Sequence, residues 1–308
     1  MKNTIIIALV VILLGLGGYF LLTKSSDTTY QEFTSQNDSE ISESIQENTE
    51  QEIIDQQNDS MDKKPQSVIG RSVEGREITA YHYGTGDTEL LFVGGIHGGY
   101  SWNTSLVAYE MIDYLESNPS IIPQNVKVTV VPALNPDGLY EVTGKDGKFA
   151  SSDVSSNQNS SARFNANDVD LNRNFDCKWQ SVGKWQSRDV SGGSTAFSEP
   201  ESQAIKNYVD GANPDAVIVW YSSAGGVFSS SCDNGVSNET AELTKIYADA
   251  SGYDSFEEFT SYEITGDMVN WLAKNGIPGI SVLLTNSDST EWSKNKSGIE
   301  AVIKNYSN

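Results

Sequence analysis

Few residues in this chain could do chemistry, and their scarcity limits what that chemistry is. Two histidines occur in 308 residues, His82 and His97. His97 stands in GGIHGG (94–99), directly after an apolar run, where a chain leaves a strand. An imidazole there can hold a metal ion or move a proton, or simply hydrogen-bond the backbone of the glycine turn. His82 lies inside the strand-like stretch REITAYHYG (76–84). Ser101 and Ser222 are the serines to consider as nucleophiles beside His97. No G-x-S-x-G elbow is present, however, and no acid is placed to orient the ring, so a serine hydrolase is set aside. The two cysteines, Cys177 and Cys232, are expected to form one disulfide in an exported domain, with two buried thiols as the alternative. With so few histidines they are too few for a zinc finger.

The elements that must position these residues are legible as apolar runs separated by helical patterns. LLFVGGI (90–96), VKVTVVPAL (126–134), AVIVWYS (216–222) and GISVLLT (279–285) are short, continuous and rich in β-branched residues, as strands covered on both faces are. Helical periodicity predicts helices over 104–118, 198–209, 240–251, 266–275 and the C-terminal SGIEAVIKNYS. At the second of these, Ser198 followed by Glu201 reads as a capping box. Strands alternating with helices predict an α/β domain with a mainly parallel or mixed sheet. Sites in such sheets form at the carboxyl ends of the strands, which singles out His97, Asn135, Ser222 and Thr285.

The charge balance excludes some partners. With 42 acidic and 20 basic residues the formal charge is −22, unsuited to nucleic acid, whose phosphates need Lys and Arg, or to an anionic lipid surface. Residues 4–23 (TIIIALVVILLGLGGYFLLT) carry no charge, and about 20 helical residues span the roughly 30 Å hydrocarbon core. Residues 1–24 are therefore expected to form an uncleaved, single-pass signal-anchor. Lys2 and the amino terminus favour a cytoplasmic N-terminus and an extracytoplasmic remainder. Residues 25–66, rich in Ser, Gln, Asn and acid, are expected to be a disordered stalk. The folded domain is expected over 67–308.

The strand-end strings resemble a known family. GGIHGG (94–99), PALNPDG (132–138), DVDLNRNF (168–175), FSEPES (197–202) and YEITGDMVNWLA (262–273) come in the order found in the M14 zinc carboxypeptidases. IGRSVEGREI (69–78) is similar to that family's start. The resemblance covers essentially the whole folded part. It implies an α/β fold with a mixed, mainly parallel eight-stranded sheet flanked by helices, and relatives that remove C-terminal residues from peptides or cell-wall peptides. That chemistry uses zinc held by two histidines and a glutamate, a second glutamate that moves the water's proton, arginines facing the carbonyl, and an Asn-Arg pair with a tyrosine on the terminal carboxylate.

Carried over residue by residue, the pattern divides. His97 matches the first metal histidine. The metal glutamate belongs three or four residues later, where Tyr100 and Ser101 stand. Tyr221 occupies the second histidine's place. The family's general base falls at Leu283, or at Leu284 if the register slips by one. Asp137, Asp170, Glu263 and Glu291 are the acids that could substitute, but none has the family's spacing. The carboxylate-gripping half matches better, with Asn172 and Arg173 in DLNRNF, Arg163 facing the carbonyl and Tyr262 as the mobile tyrosine; the alternative is a structural role, such as Arg173 paired with Asp170. The resemblance thus implies a pseudo-peptidase that binds the C-terminus of a peptide or cell-wall peptide, with no cofactor expected. The alternative is an active zinc carboxypeptidase with atypical ligands.

Overall fold

A computed structural model describes residues 65–155 and 160–307. The apolar run, almost all of the acidic stretch and so the expected anchor lie outside the described residues. Among the described residues no helix is long and apolar enough to cross a membrane.

The chain opens with β1 (Gln66–Arg71) and β2 (Glu77–Gly84), then β3 (Thr88–Val93), helix α1 (Trp102–Ser117), β4 (Val126–Val131) and helix α2 (Pro136–Thr143). A small hairpin, β5 (Val182–Trp185) and β6 (Arg188–Ser191), precedes α3 (Pro200–Ala212) and β7 (Ala216–Ser222). β8 (Gly226–Ser229), α4 (Asn238–Ser251), β9 (Ser255–Phe256), α5 (Met268–Lys274), β10 (Gly279–Leu284) and α6 (Trp292–Asn305) complete the domain. Eight strands form one sheet in the order β1-β2-β4-β3-β7-β10-β8-β9. Its centre, β4-β3-β7-β10, is parallel, and antiparallel pairings join β1 to β2, β2 to β4 and β8 to β10.

The four apolar runs form the parallel centre because both faces of these strands are covered. Leu90, Phe92, Ile218, Trp220, Val282 and Leu284 enter one core, while Leu91, Val93, Val217, Val219 and Tyr221 enter the other. This is the strict alternation of a pleated strand. α1, α4 and α6 contribute to the first core, and α3 and α5 to the second.

Two local expectations change. The capping box at Ser198 does not form: α3 starts later, with Glu199 at its N-cap and Pro200 in its first turn. Ser198 instead donates to Glu199 and accepts from Asn174, so tertiary partners outcompete the local cap. Of the four strand-end residues, His97 and Ser222 border the main cavity; Asn135 and Thr285 do not. Asn135 caps α2 and donates to the carbonyls of Arg163 and Phe164, and Thr285 is bonded to Glu291.

Candidate functional site

A cavity of about 830 Å³ opens at the carboxyl ends of the central parallel strands. Register fixes its floor: Leu283 of β10 lies beside Tyr221 of β7, and Val93 of β3 lies beside Val219. Of the two leucines considered for the general-base place, Leu283 borders the cavity, whereas Leu284 is fully buried in the opposite core. His97 follows β3 on a tight turn. Gly98 there has φ +45°, and a Cβ on it would sit 2.6 Å from the Ala162 carbonyl, so glycine is required. Of the two residues considered for a metal glutamate, Tyr100 borders the cavity and Ser101 does not. Tyr100 meets Trp185 edge-on at 4.9 Å.

His97 is buried, and neither ring nitrogen finds a hydrogen-bond partner among the described residues. Its ring tilts against Tyr221 at 5.5 Å, and Nε2 lies 3.8 Å from Asp170 Oδ1. Burial and the Arg163 charge hold the imidazole well below the ordinary histidine value, against the pull of Asp170. Burial, with the Asp267 charge, lifts the Tyr221 phenol well above its ordinary value, so it stays a hydroxyl donor.

The two buried arginines have different partners. Arg163 directs Nε and Nη2 to Asp170 Oδ2, both at 2.9 Å, under the ring of Trp185. Burial works to raise the Asp170 carboxyl, but the charges of Arg163 and Arg173 outweigh it and keep it below the ordinary aspartate value. Arg173, 1% exposed, is held by backbone carbonyls instead: Nε and Nη2 donate to Lys184 O and Nη1 to Asn172 O. Among the described residues no carboxylate lies within ion-pairing distance of it, so it is Arg163 that pairs with Asp170. Asn172 donates to Asp267 Oδ2 at 2.7 Å and accepts from Met268 N and the Tyr221 hydroxyl. The ring of Tyr262 lies 5.9 Å from the Arg173 guanidinium.

The structure therefore brings His97, Arg163, Asn172, Arg173, Tyr221, Tyr262 and Leu283 to one cavity. Of the candidate substitute acids only Glu263 borders it. Asp137 is spent on Ser72 and Arg76, and Glu291 on Thr285 and Tyr253. The sequence reading missed Asp267, which borders the cavity within the quoted string YEITGDMVNWLA. Cys177 and Cys232 are joined, tying the chain after the Arg173 turn to the chain after β8. Among the described residues no group of three or more His, Cys, Asp or Glu is arranged to hold a metal ion.

The family model for zinc carboxypeptidases, Peptidase M14, matches residues 54–304. The chain belongs to this family. Carboxypeptidase Z of Homo sapiens is 35% identical over 120 residues, covering 35% of this chain and 17% of that protein. Carboxypeptidase B of Helicoverpa zea is 28% identical over 175 residues, covering 51% of this chain and 40% of that one. The chain thus spans less than half the length of either relative. Among solved structures, the murein-tripeptide amidase MpaA of Escherichia coli O157 superposes with a TM-score of 0.54 at 21% identity, covering 79% of this chain and 91% of that one. Carboxypeptidase A of Helicoverpa armigera gives 0.56 at 18% identity, covering 79% and 66%. At these identities the likeness is one of fold.

Proposed function

We propose that this zinc carboxypeptidase family member is a pseudo-peptidase: it holds the C-terminal carboxylate of a peptide or cell-wall peptide and does not hydrolyse it through zinc. The observation that carries the reading is Arg173. A guanidinium 1% exposed, fixed on backbone carbonyls and facing a cavity without an ion-paired carboxylate, is a preformed anion site. Three of its N–H groups are used within the chain, which leaves two for a ligand. Asn172 keeps one N–H, and Tyr262 stands beside the pair.

The donor set around His97 does not fit a zinc ion. Zinc sites use three or four deprotonated Cys, His or carboxylate ligands. Here His97 has a tyrosine hydroxyl at one neighbouring place and Tyr100 at the other, and the nearest acid, Asp170, is already bound to Arg163. Leu283 carries no group that moves a proton. No step is therefore routed through a metal. We further propose that the apolar segment at 4–23 anchors the protein with its domain outside the cytoplasm, within reach of cell-wall peptides.

Calorimetric titration tests the binding claim. An N-acetylated tripeptide with a free C-terminus should bind the full-length chain better than its C-terminal amide, somewhere between roughly pH 5 and pH 8, where that carboxylate is ionised. R173Q should remove the difference, because truncating a buried charged partner costs about 2–5 kcal/mol. Equal binding of acid and amide throughout that range would contradict the reading.

A further inference from the structure

The proposed carboxylate grip pairs Arg173 with Asn172, and Asn172 already serves an acceptor within the chain. Its Nδ2 donates to Asp267 Oδ2 at 2.7 Å. Its Oδ1 accepts from Met268 N at 3.1 Å and from the Tyr221 hydroxyl at 3.3 Å. With donors on one side and an acceptor on the other, the amide cannot turn over without losing all three bonds. Asp267 is 6% exposed and borders the same cavity. Its other oxygen caps α5 by accepting from Asn270 N at 3.0 Å. Among the described residues no cation lies within ion-pairing distance of it. The cavity thus holds a buried anion on the residue whose amide a ligand carboxylate would use.

Two carboxylates at one site do not both stay ionised without cost; one of them takes a proton or leaves. Resting on the binding reading above, we propose that Asp267 decides when the grip accepts an anion: its carboxylate, held at Asn172, excludes a ligand carboxylate until it takes up one proton. The proton comes from solvent and adds to a carboxylate oxygen of Asp267; no other bond forms or breaks. The ligand carboxylate then meets Arg173 and Asn172 without the Asp267 charge opposing it.

The charged and titratable groups facing Asp267 are Arg173, from the turn at Leu171–Arg173, and Tyr221, from β7. The first turn of α5 adds no acid, and the exposed Lys178, Glu258 and Glu263 border the same cavity. Burial raises the Asp267 carboxyl above the ordinary aspartate value, although donors from Asn270 and Asn172 and the Arg173 charge hold it down.

Titration calorimetry on the full-length chain tests this, with the acetylated tripeptide acid and its amide as probes. Runs at roughly pH 5 and pH 8, in two buffers of different ionisation heat, count the protons. The wild-type chain should take up about one proton per bound acid, with affinity for the acid rising up to about tenfold per pH unit on acidification. D267S should bind the acid about tenfold or more tighter than wild type near pH 8, without pH dependence. Serine is as good an N-cap as aspartate, so α5 keeps its start, and it does not set a second amide donor against Asn172 Nδ2 as asparagine would. Wild-type binding of the acid near pH 8 without proton uptake would overturn the proposal. So would weaker binding by D267S, which would make Asp267 only an orienter of Asn172. If neither protein separates acid from amide at any pH, the C-terminal reading fails and this proposal falls with it. Should D267S not fold, the wild-type proton count still decides.

Discussion

Tyr221 shows how one substitution rewires a site without emptying it. At the place the resemblance gives to the family's second metal histidine, the phenol borders the cavity and donates to Asn172. Tyr100 likewise meets Trp185 edge-on rather than offering a carboxylate. Metal binding here should therefore need more than one change. Y100E together with Y221H is expected to gain a zinc ion measurable by calorimetry, while either change alone gains none; adding L283E is then required before any peptide hydrolysis is seen. Hydrolysis by the wild-type chain with added zinc would refute this. At this scale the sequence was informative wherever a string such as HGG or LNRNF names a place. It failed at Asp267. An acid just before a helix reads as an N-cap, which it is, but its other oxygen meets Asn172, 95 positions away in the chain. Spacing alone does not separate Ser101 from Tyr100 as a ligand place; of the two, Tyr100 borders the cavity.

The elements that carry these residues follow from burial. Strands covered on both faces are written as continuous apolar runs, so β3, β4, β7 and β10 could be read directly, and with them the parallel centre. Edge strand β9 is two residues long and exposed, and the strands of the β5–β6 hairpin are four residues each, with Val182 turned outward and Gly183 inward, so neither carries an apolar periodic signal. The join between elements matters as much as the elements. Gly266, ahead of α5, has φ +61°, and a Cβ there would lie 2.2 Å from the Arg173 carbonyl. G266A should therefore cost more than about 1 kcal/mol in denaturant unfolding and weaken binding of the peptide acid more than that of the amide. A variant with unchanged stability would show that this approach is not tight.

Across the whole molecule one long-range tie closes the cavity wall. The Cys177–Cys232 bond spans 55 residues, and a loop of that length corresponds to about 4 kcal/mol of chain entropy in the unfolded state. The C177A/C232A pair should lower unfolding stability by an amount of that order, and a loss under 1 kcal/mol would contradict the assignment of that role. The fold could be inferred from the order of five short strings, whereas the proposed loss of chemistry rests on a count of two histidines and on Leu283. The most direct test is zinc stoichiometry of the full-length chain, measured beside H97A. The pseudo-peptidase account predicts no zinc bound beyond the H97A control. One zinc per chain at submicromolar affinity, lost in H97A, would contradict it.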